Sequence, residues 1–283
     1  MNKGEKQYLS ICQDVIDNGV WVENERTGVR CLTGRTAIMT YNVGDKEFPM
    51  VTTRKVFPKM SIAELTGYWQ GLTSAADFRK LNCRTWDANA NLNKAWLENP
   101  HRGGEDDLGF IYGAVGHDFG GIDQFEKVYN NLRNGVDDRG EIITYWKPDE
   151  FYRGCLRPCL HSVQFNLLGG ILDMTAIQRS CDLPLGTAGA NMMQCYTMLY
   201  LMARITGHKA GVVTHVMNQP HIYENQVELM KEQLSRDIVP CKPELHICES
   251  IKTWQDIMDL KNMDKFTVSG YESHGRIDYP FSE

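Results

Sequence analysis

The feature that most constrains this chain is the apolar stretch Met192–Ile205. It carries Gln194 and Arg204 and is too short to cross a bilayer. A helix this apolar must be covered by its own protein. The sequence therefore predicts a long buried helix over Asn191–Thr206, closed by Gly207, with other elements built around it. Helical spacing over 7–19, 61–71, 122–134 and 221–234 predicts further helices, with Ser61 and Glu64 forming a capping box. Residues 29–41, 142–146, 162–168, 171–177, 212–217 and 266–268 read as strands, and 99–121, rich in Gly, Asp and Pro, as loops. No repeat, linker or low-complexity tract divides the 283 residues. The expected architecture is α+β, a single domain over 1–283 with a mixed β-sheet packed against long helices.

Charge narrows the function. The net charge of −6, with no basic block, argues against nucleic acid or an anionic membrane as partner, because binding many phosphates needs clustered Lys and Arg. A small anionic substrate needs only a few focused arginines. Nine scattered cysteines, an odd number without a Cys-x-x-Cys pair, read as reduced thiols. The first residues lack the apolar run of a signal peptide, so a cytoplasmic protein is expected. No His/Cys cluster has metal-ligand spacing, and no metal is expected.

Chemistry-bearing residues concentrate between 155 and 191. Arg157-Pro158-Cys159-Leu160-His161-Ser162-Val163-Gln164-Phe165 places a cysteine just before an apolar strand and close to arginine. Such a cysteine could act as a thiolate, although most free cysteines are simply core. Gln178-Arg179-Ser180-Cys181-Asp182 offers a guanidinium fork and a hydroxyl, suited to a phosphate or to a surface salt bridge. Leu185-Gly186-Thr187-Ala188-Gly189-Ala190-Asn191 reads as a flexible turn ending in an amide that can donate and accept, or cap a helix. His221-Ile222-Tyr223 is expected to open a late helix and could bond a sugar hydroxyl.

Taken in order, these segments resemble the thymidylate synthase family. The resemblance extends to Arg26-Thr27-Gly28, Phe48-Pro49-Met50-Val51-Thr52-Thr53-Arg54-Lys55, Glu64 with Trp69 and Gly71, Thr85-Trp86-Asp87, Leu108-Gly109-Phe110-Ile111-Tyr112-Gly113 and Gly270-Tyr271-Glu272-Ser273-His274. It implies a folate-dependent enzyme that adds a one-carbon unit to C5 of a pyrimidine deoxynucleotide, with 5,10-methylenetetrahydrofolate as co-substrate. It implies Cys159 as the nucleophile, Arg179 near both thiolate and phosphate, Glu64 organising proton transfer and Tyr112 helping to remove the C5 proton. Arg26 and Ser180 would complete the phosphate site, with Arg139 entering from the second subunit of a homodimer. Asn191 would read the base, His221 and Tyr223 the ribose, and Asp182 and Trp86 the folate, beneath a closing C-terminal tail.

The sequence departs from the family pattern where product and base are decided. Leu160 stands where a histidine follows the nucleophile, and His161 comes one place late. The loop to Asn191 is one residue longer, so Ala190 or Asn191 could face the base. Arg139-Gly140 replaces paired arginines, Ala114-Val115-Gly116-His117 replaces the family's Lys-Gln-Trp-Arg, and Glu283 replaces a small apolar end. Methylation of dUMP to dTMP leads. Hydroxymethylation of dUMP or dCMP, as in phage enzymes with wetter sites, stands beside it. The absence of an aspartate at the asparagine position argues for uracil. A non-catalytic RNA binder is the third reading, opposed by the acidic charge and the intact Cys159, Glu64 and Arg179.

Overall fold

The computed structural model describes residues 3–23 and 28–281; Arg26 and Glu283, both singled out above, lie outside them. After helix α1 (Lys3–Asn18) come strands β1 (Val20–Val22), β2 (Cys31–Thr33) and β3 (Ala37–Asn42), then helices α2 (Pro58–Trp69), α3 (Ala75–Lys80), α4 (Asp87–Asn91), α5 (Lys94–Leu97), α6 (Tyr112–His117) and α7 (Gln124–Arg133). The second half contains β4 (Ile142–Thr144), β5 (Leu160–Leu168), β6 (Ile171–Gln178), β7 (Cys181–Asp182), α8 (Met192–Thr206), β8 (Lys209–Met217), β9 (Pro220–Tyr223), α9 (Val227–Leu234), β10 (Glu244–Ile247), α10 (Trp254–Met258) and β11 (Phe266–Ser269).

The main sheet has five strands in the order β3-β8-β6-β5-β4, antiparallel except for the parallel β6–β8 pair. Helix α8 lies against β6 and β8, with α1 on β3 and α7 on β4. As its composition requires, α8 is buried nearly throughout, and it ends where Gly207 adopts φ 81°. Val163, Phe165, Met174, Ala176, Val213 and Met217 point into the core with Tyr196 and Leu199 of α8. Their neighbours Ser162, Gln164, Thr175, Ile177, Thr214 and Val216 lie on the opposite face and are only half-buried. A second sheet, β1-β2-β9-β7, flanks the end of β6 at which Arg179 emerges. The α+β expectation holds.

Several element expectations are corrected. The helix read over 61–71 starts at Pro58, a favoured first-turn residue. Ser61 therefore lies inside it and donates to the Ala190 carbonyl at 2.9 Å instead of capping. The loop expected over 99–121 contains α6, because Gly113 and Gly116 mark close packing. A Cβ on Gly113 would meet the Tyr68 carbonyl at 1.8 Å, and one on Gly116 the Phe125 ring at 2.3 Å. His221 and Tyr223 do not open a helix; they lie in β9, whose ladder to β2 and β7 overrides the helical spacing. Helix α9 starts six residues after His221, at Val227. The flexible turn before α8 is instead a π-helical stretch, Leu183–Asn191, capped by the Asp182 side chain.

Candidate active site

Cys159 directly precedes β5, and Arg179 directly follows β6. The two strands are antiparallel neighbours, so the residues meet at one end of the sheet, where the Arg179 N–H donates to the Cys159 carbonyl at 2.8 Å. The Arg179 guanidinium turns back over the segment before the cysteine. It donates to the Pro158 and Arg157 carbonyls at 2.9 and 3.1 Å and sits 5.4 Å from the centre of the Trp146 ring. From the other side, the Cys159 N–H donates to the Tyr112 hydroxyl at 2.9 Å. Cys159 is half-buried, and the Arg179 guanidinium lies against the carbonyls of the two residues before it.

Tyr112 is held by stacking on Tyr68 at 4.4 Å and by an edge contact with Trp86 at 5.9 Å. Burial pushes its phenol well above the usual range, so it stays protonated. Its oxygen accepts from Cys159, which leaves its hydrogen to donate. Trp86 is buried against Tyr68 and Phe78, and its indole N–H meets no acceptor among the described residues.

Glu64, on α2, is buried. Burial raises its pKa, opposed by hydrogen bonds from Thr85 at 2.6 Å and Gln194 at 2.5 Å. Gln194 also accepts from the Asn191 amide at 3.0 Å, and the Asn191 oxygen accepts from Gln178 at 2.9 Å. Asn191 rather than Ala190 thus joins the polar network, since the Ala190 carbonyl is turned inward to Ser61. Gln178 and Gln194 were not assigned from sequence. The signal available for Gln194 was its position as an amide inside the most apolar helix of the chain.

Asp182 and His221 face each other across the β7–β9 pair. Burial raises the Asp182 carboxyl, partly offset by the His221 charge and by the Leu185 N–H at 3.1 Å. His221 bonds the Gln219 carbonyl through Nδ1 at 2.8 Å and packs edge-on against Tyr223 at 5.2 Å. Ser180 is placed between Arg179 and β7, and its carbonyl accepts from Gln178 at 3.0 Å. Arg54, also unassigned from sequence, is buried. It donates to the Pro184 carbonyl and lies 5.3 Å from the Tyr279 ring, tying the C-terminal segment to the Asp182 turn. Tyr279 in turn donates to Gln233 at 2.8 Å.

Arg139 stands apart from this group, exposed in the turn before β4 at φ 66°. Its carbonyl accepts from Gln164, which projects from the open face of the sheet. His161 falls at an irregularity of β5 and lies 5.7 Å from the Trp146 ring beneath Arg179, so the displaced histidine still reaches the arginine cluster. His117 is a structural clamp between Asp123 and the Trp69 carbonyl, at 2.7 and 2.8 Å.

A half-buried cysteine beside an arginine, with a buried carboxyl tied into a neighbouring amide chain, offers the groups that an enzyme with a cysteine nucleophile and acid–base assistance needs. Comparison with known proteins narrows this class. The family model described as Thymidylate synthase matches residues 6–283. The chain is 54% identical to proteins named thymidylate synthase from Pseudoalteromonas translucida and Pasteurella multocida, and likewise 54% identical to one from Vibrio cholerae, each over 98% of this chain and 99% of the relative. It belongs to the thymidylate synthase family.

Proposed function

We infer that this protein methylates dUMP to dTMP through a covalent adduct on Cys159, with 5,10-methylenetetrahydrofolate as co-substrate. The observation that carries this reading is that two hydrogen-bonded groups, Cys159 with Arg179 and Tyr112, and Asn191 with Gln178, Gln194 and Glu64, lie side by side, joined by the Gln178–Arg179 step and by Tyr68, which stacks on Tyr112 and bonds Glu64. Uracil C5 is a poor nucleophile until the thiolate sulfur bonds C6 and the electron pair moves onto C5 and the O4 carbonyl. Arg179 stabilises negative charge at the sulfur and, with Ser180 and Arg26, at the phosphate. Glu64, its proton affinity raised by burial, exchanges a proton with the ring carbonyl through bound water. Tyr112, kept protonated, orients the water that takes the C5 proton and does not act as a phenolate. His221 and Tyr223 hold the ribose.

The folate fits the residues present. The buried Asp182 carboxyl suits a pterin's adjacent N–H donors, and the unmatched Trp86 N–H lies in the aromatic wall beside Tyr112. When bound, the folate supplies the methylene carbon and the hydride. The C-terminal segment, anchored through Tyr279 and Arg54, excludes water from this side.

The relatives named above favour methylation over the alternative of hydroxymethylation, and they are bacterial, so a phage source gains no support. Incubation with dUMP and methylenetetrahydrofolate, followed by mass analysis of the nucleotide, is expected to give the methyl product. A hydroxymethyl product would overturn the reading. A cytoplasmic location without nucleic-acid or membrane partners belongs to the same proposal; among the described residues, no helix is long and apolar enough to cross a membrane.

A homodimer with shared sites is supported by the uncovered sheet face, on which exposed Ile38 and half-buried Ile177 and Val216 lie, and by Arg139, whose turn is bonded to that face through Gln164. Arg139 would serve the neighbour's phosphate. Mixing inactive Arg139→Ala and Cys159→Ala proteins should restore activity, because one of the two hybrid sites carries neither defect. Subunit exchange without any recovery would defeat the shared-site idea.

A further inference from the structure

A chain of buried hydrogen bonds continues from the site into the core, well beyond any residue placed in the reaction. Gln178 accepts at Oε1 from His215 Nε2 at 2.8 Å, and His215 Nδ1 lies 3.0 Å from the Tyr41 hydroxyl. His215 has no exposed surface, and Tyr41 and Gln178 have almost none.

The donors and acceptors of this chain can be assigned without ambiguity. The Ser180 carbonyl can only accept, so the Gln178 NH2 must face it, 3.0 Å away. That NH2 also reaches the Asn191 oxygen, leaving Gln178 Oε1 as the acceptor toward His215. At the other end, Gln194 points its NH2 at Glu64 and the Ser61 carbonyl, so its oxygen faces the Asn191 NH2. Asn191 is therefore fixed from both sides. Flipping its amide would set oxygen against oxygen on one side and NH2 against NH2 on the other. One lone pair and one N–H of Asn191 remain for a ligand. Toward the core, His215 must donate from Nε2. As a neutral ring it then accepts at Nδ1, and the single Tyr41 hydrogen goes to it. Burial lowers the His215 pKa to about 4, which keeps the ring in this neutral state at working pH.

We propose that His215 and Tyr41 are positioning residues for base specificity: they lock Gln178, and through it the Asn191 amide, in the orientation that accepts from N3–H and donates to O4 of uracil and mismatches cytosine at both atoms. This rests on the proposed reading that Asn191 meets the pyrimidine. Without the His215 donor, the Gln178 oxygen has a weaker reason to point inward. The Gln178 amide can then rotate, and Asn191 is held by Gln194 alone. A site that pairs one pattern rejects the other because buried groups are left unmatched, and that rejection weakens when the amide can turn.

The test compares the KM for dUMP with the competitive inhibition constant of dCMP in the full-length enzyme. His215→Phe keeps a ring but removes the donor; Tyr41→Phe removes only the hydroxyl that fixes the tautomer. The ratio of dCMP inhibition constant to dUMP KM is expected to fall about tenfold or more in His215→Phe and less in Tyr41→Phe. It should stay unchanged in Met39→Leu, whose sulfur lies 3.6 Å from the Tyr41 hydroxyl without being needed as its acceptor. Loss of folded protein scales the response to both nucleotides alike and leaves the ratio untouched. An unchanged ratio in folded His215→Phe, or in Tyr41→Phe should the first fail to fold, overturns the proposal. Failure of the wild-type enzyme to turn over dUMP would instead overturn the function it rests on.

Discussion

Replacing Cys159 with serine is expected to lower turnover of dUMP by about 10^5-fold or more, the order of loss when a covalent catalyst is deprived of its nucleophile. The reason is local. Cys159 is clasped by the Tyr112 hydroxyl at its N–H and by the Arg179 N–H at its carbonyl, so its backbone barely depends on the side chain. Serine fits the same place, but its hydroxyl is far less acidic than a thiol and would be poorly nucleophilic beside Arg179. Equilibrium binding of dUMP should survive within a few-fold, because the proposed function assigns the phosphate, ribose and base contacts to other residues. Residual turnover above about one part in a thousand in a clean preparation would remove Cys159 from the role of nucleophile.

The second large effect is expected at Glu64. Glu64→Gln keeps the shape of the side chain and can keep the hydrogen bonds to Gln194 and Thr85: the new oxygen can face the Gln194 NH2, while the new NH2 faces Thr85, whose hydroxyl also accepts. What it loses is the exchangeable proton. Turnover should fall by about 10^2 to 10^4-fold, the usual contribution of a positioned acid or base, with KM for dUMP little changed. Burial holds the Glu64 proton to higher pH than an ordinary carboxyl would. Wild-type turnover should therefore lose the protonated form later, on the alkaline side of the usual carboxylate range, and the variant should lack that limb. A large rise in KM with normal turnover would assign Glu64 to binding alone.

Much of this site was legible in the sequence through the order of motifs that resemble the family, which single out Cys159, Arg179, Glu64, Tyr112 and Asn191 together. The fold supplies the physical reason for one pair: Cys159 precedes β5 and Arg179 follows β6, and the two strands are antiparallel neighbours. What stayed hidden depended on contacts across distant segments. His221 reads from its spacing as the start of a helix, and its pairing with Thr33 and Asp182 puts it in a strand instead. Gly113 and Gly116 looked like loop punctuation until Tyr68 and Phe125 were found against them. Ser61 had the spacing of a capping box, yet Pro58 had already started the helix. His215 gave no sign at all: a histidine in an apolar strand acquires meaning only from the glutamine and tyrosine that the fold places on either side of it.

The π-helical stretch Leu183–Asn191 has a consequence for how such a site tolerates change in chain length. A π turn winds one more residue into the same rise of helix than an α turn does. The chain between Gly186 and Asn191 is thereby wound wide, and Asn191 at its end meets Gln178 and Gln194. The bulge can take up slack between a fixed cap, Asp182, and a fixed amide, Asn191. A residue added to or removed from this stretch is expected to be absorbed where the chain is wide, before it shifts the amide that we propose faces the ring.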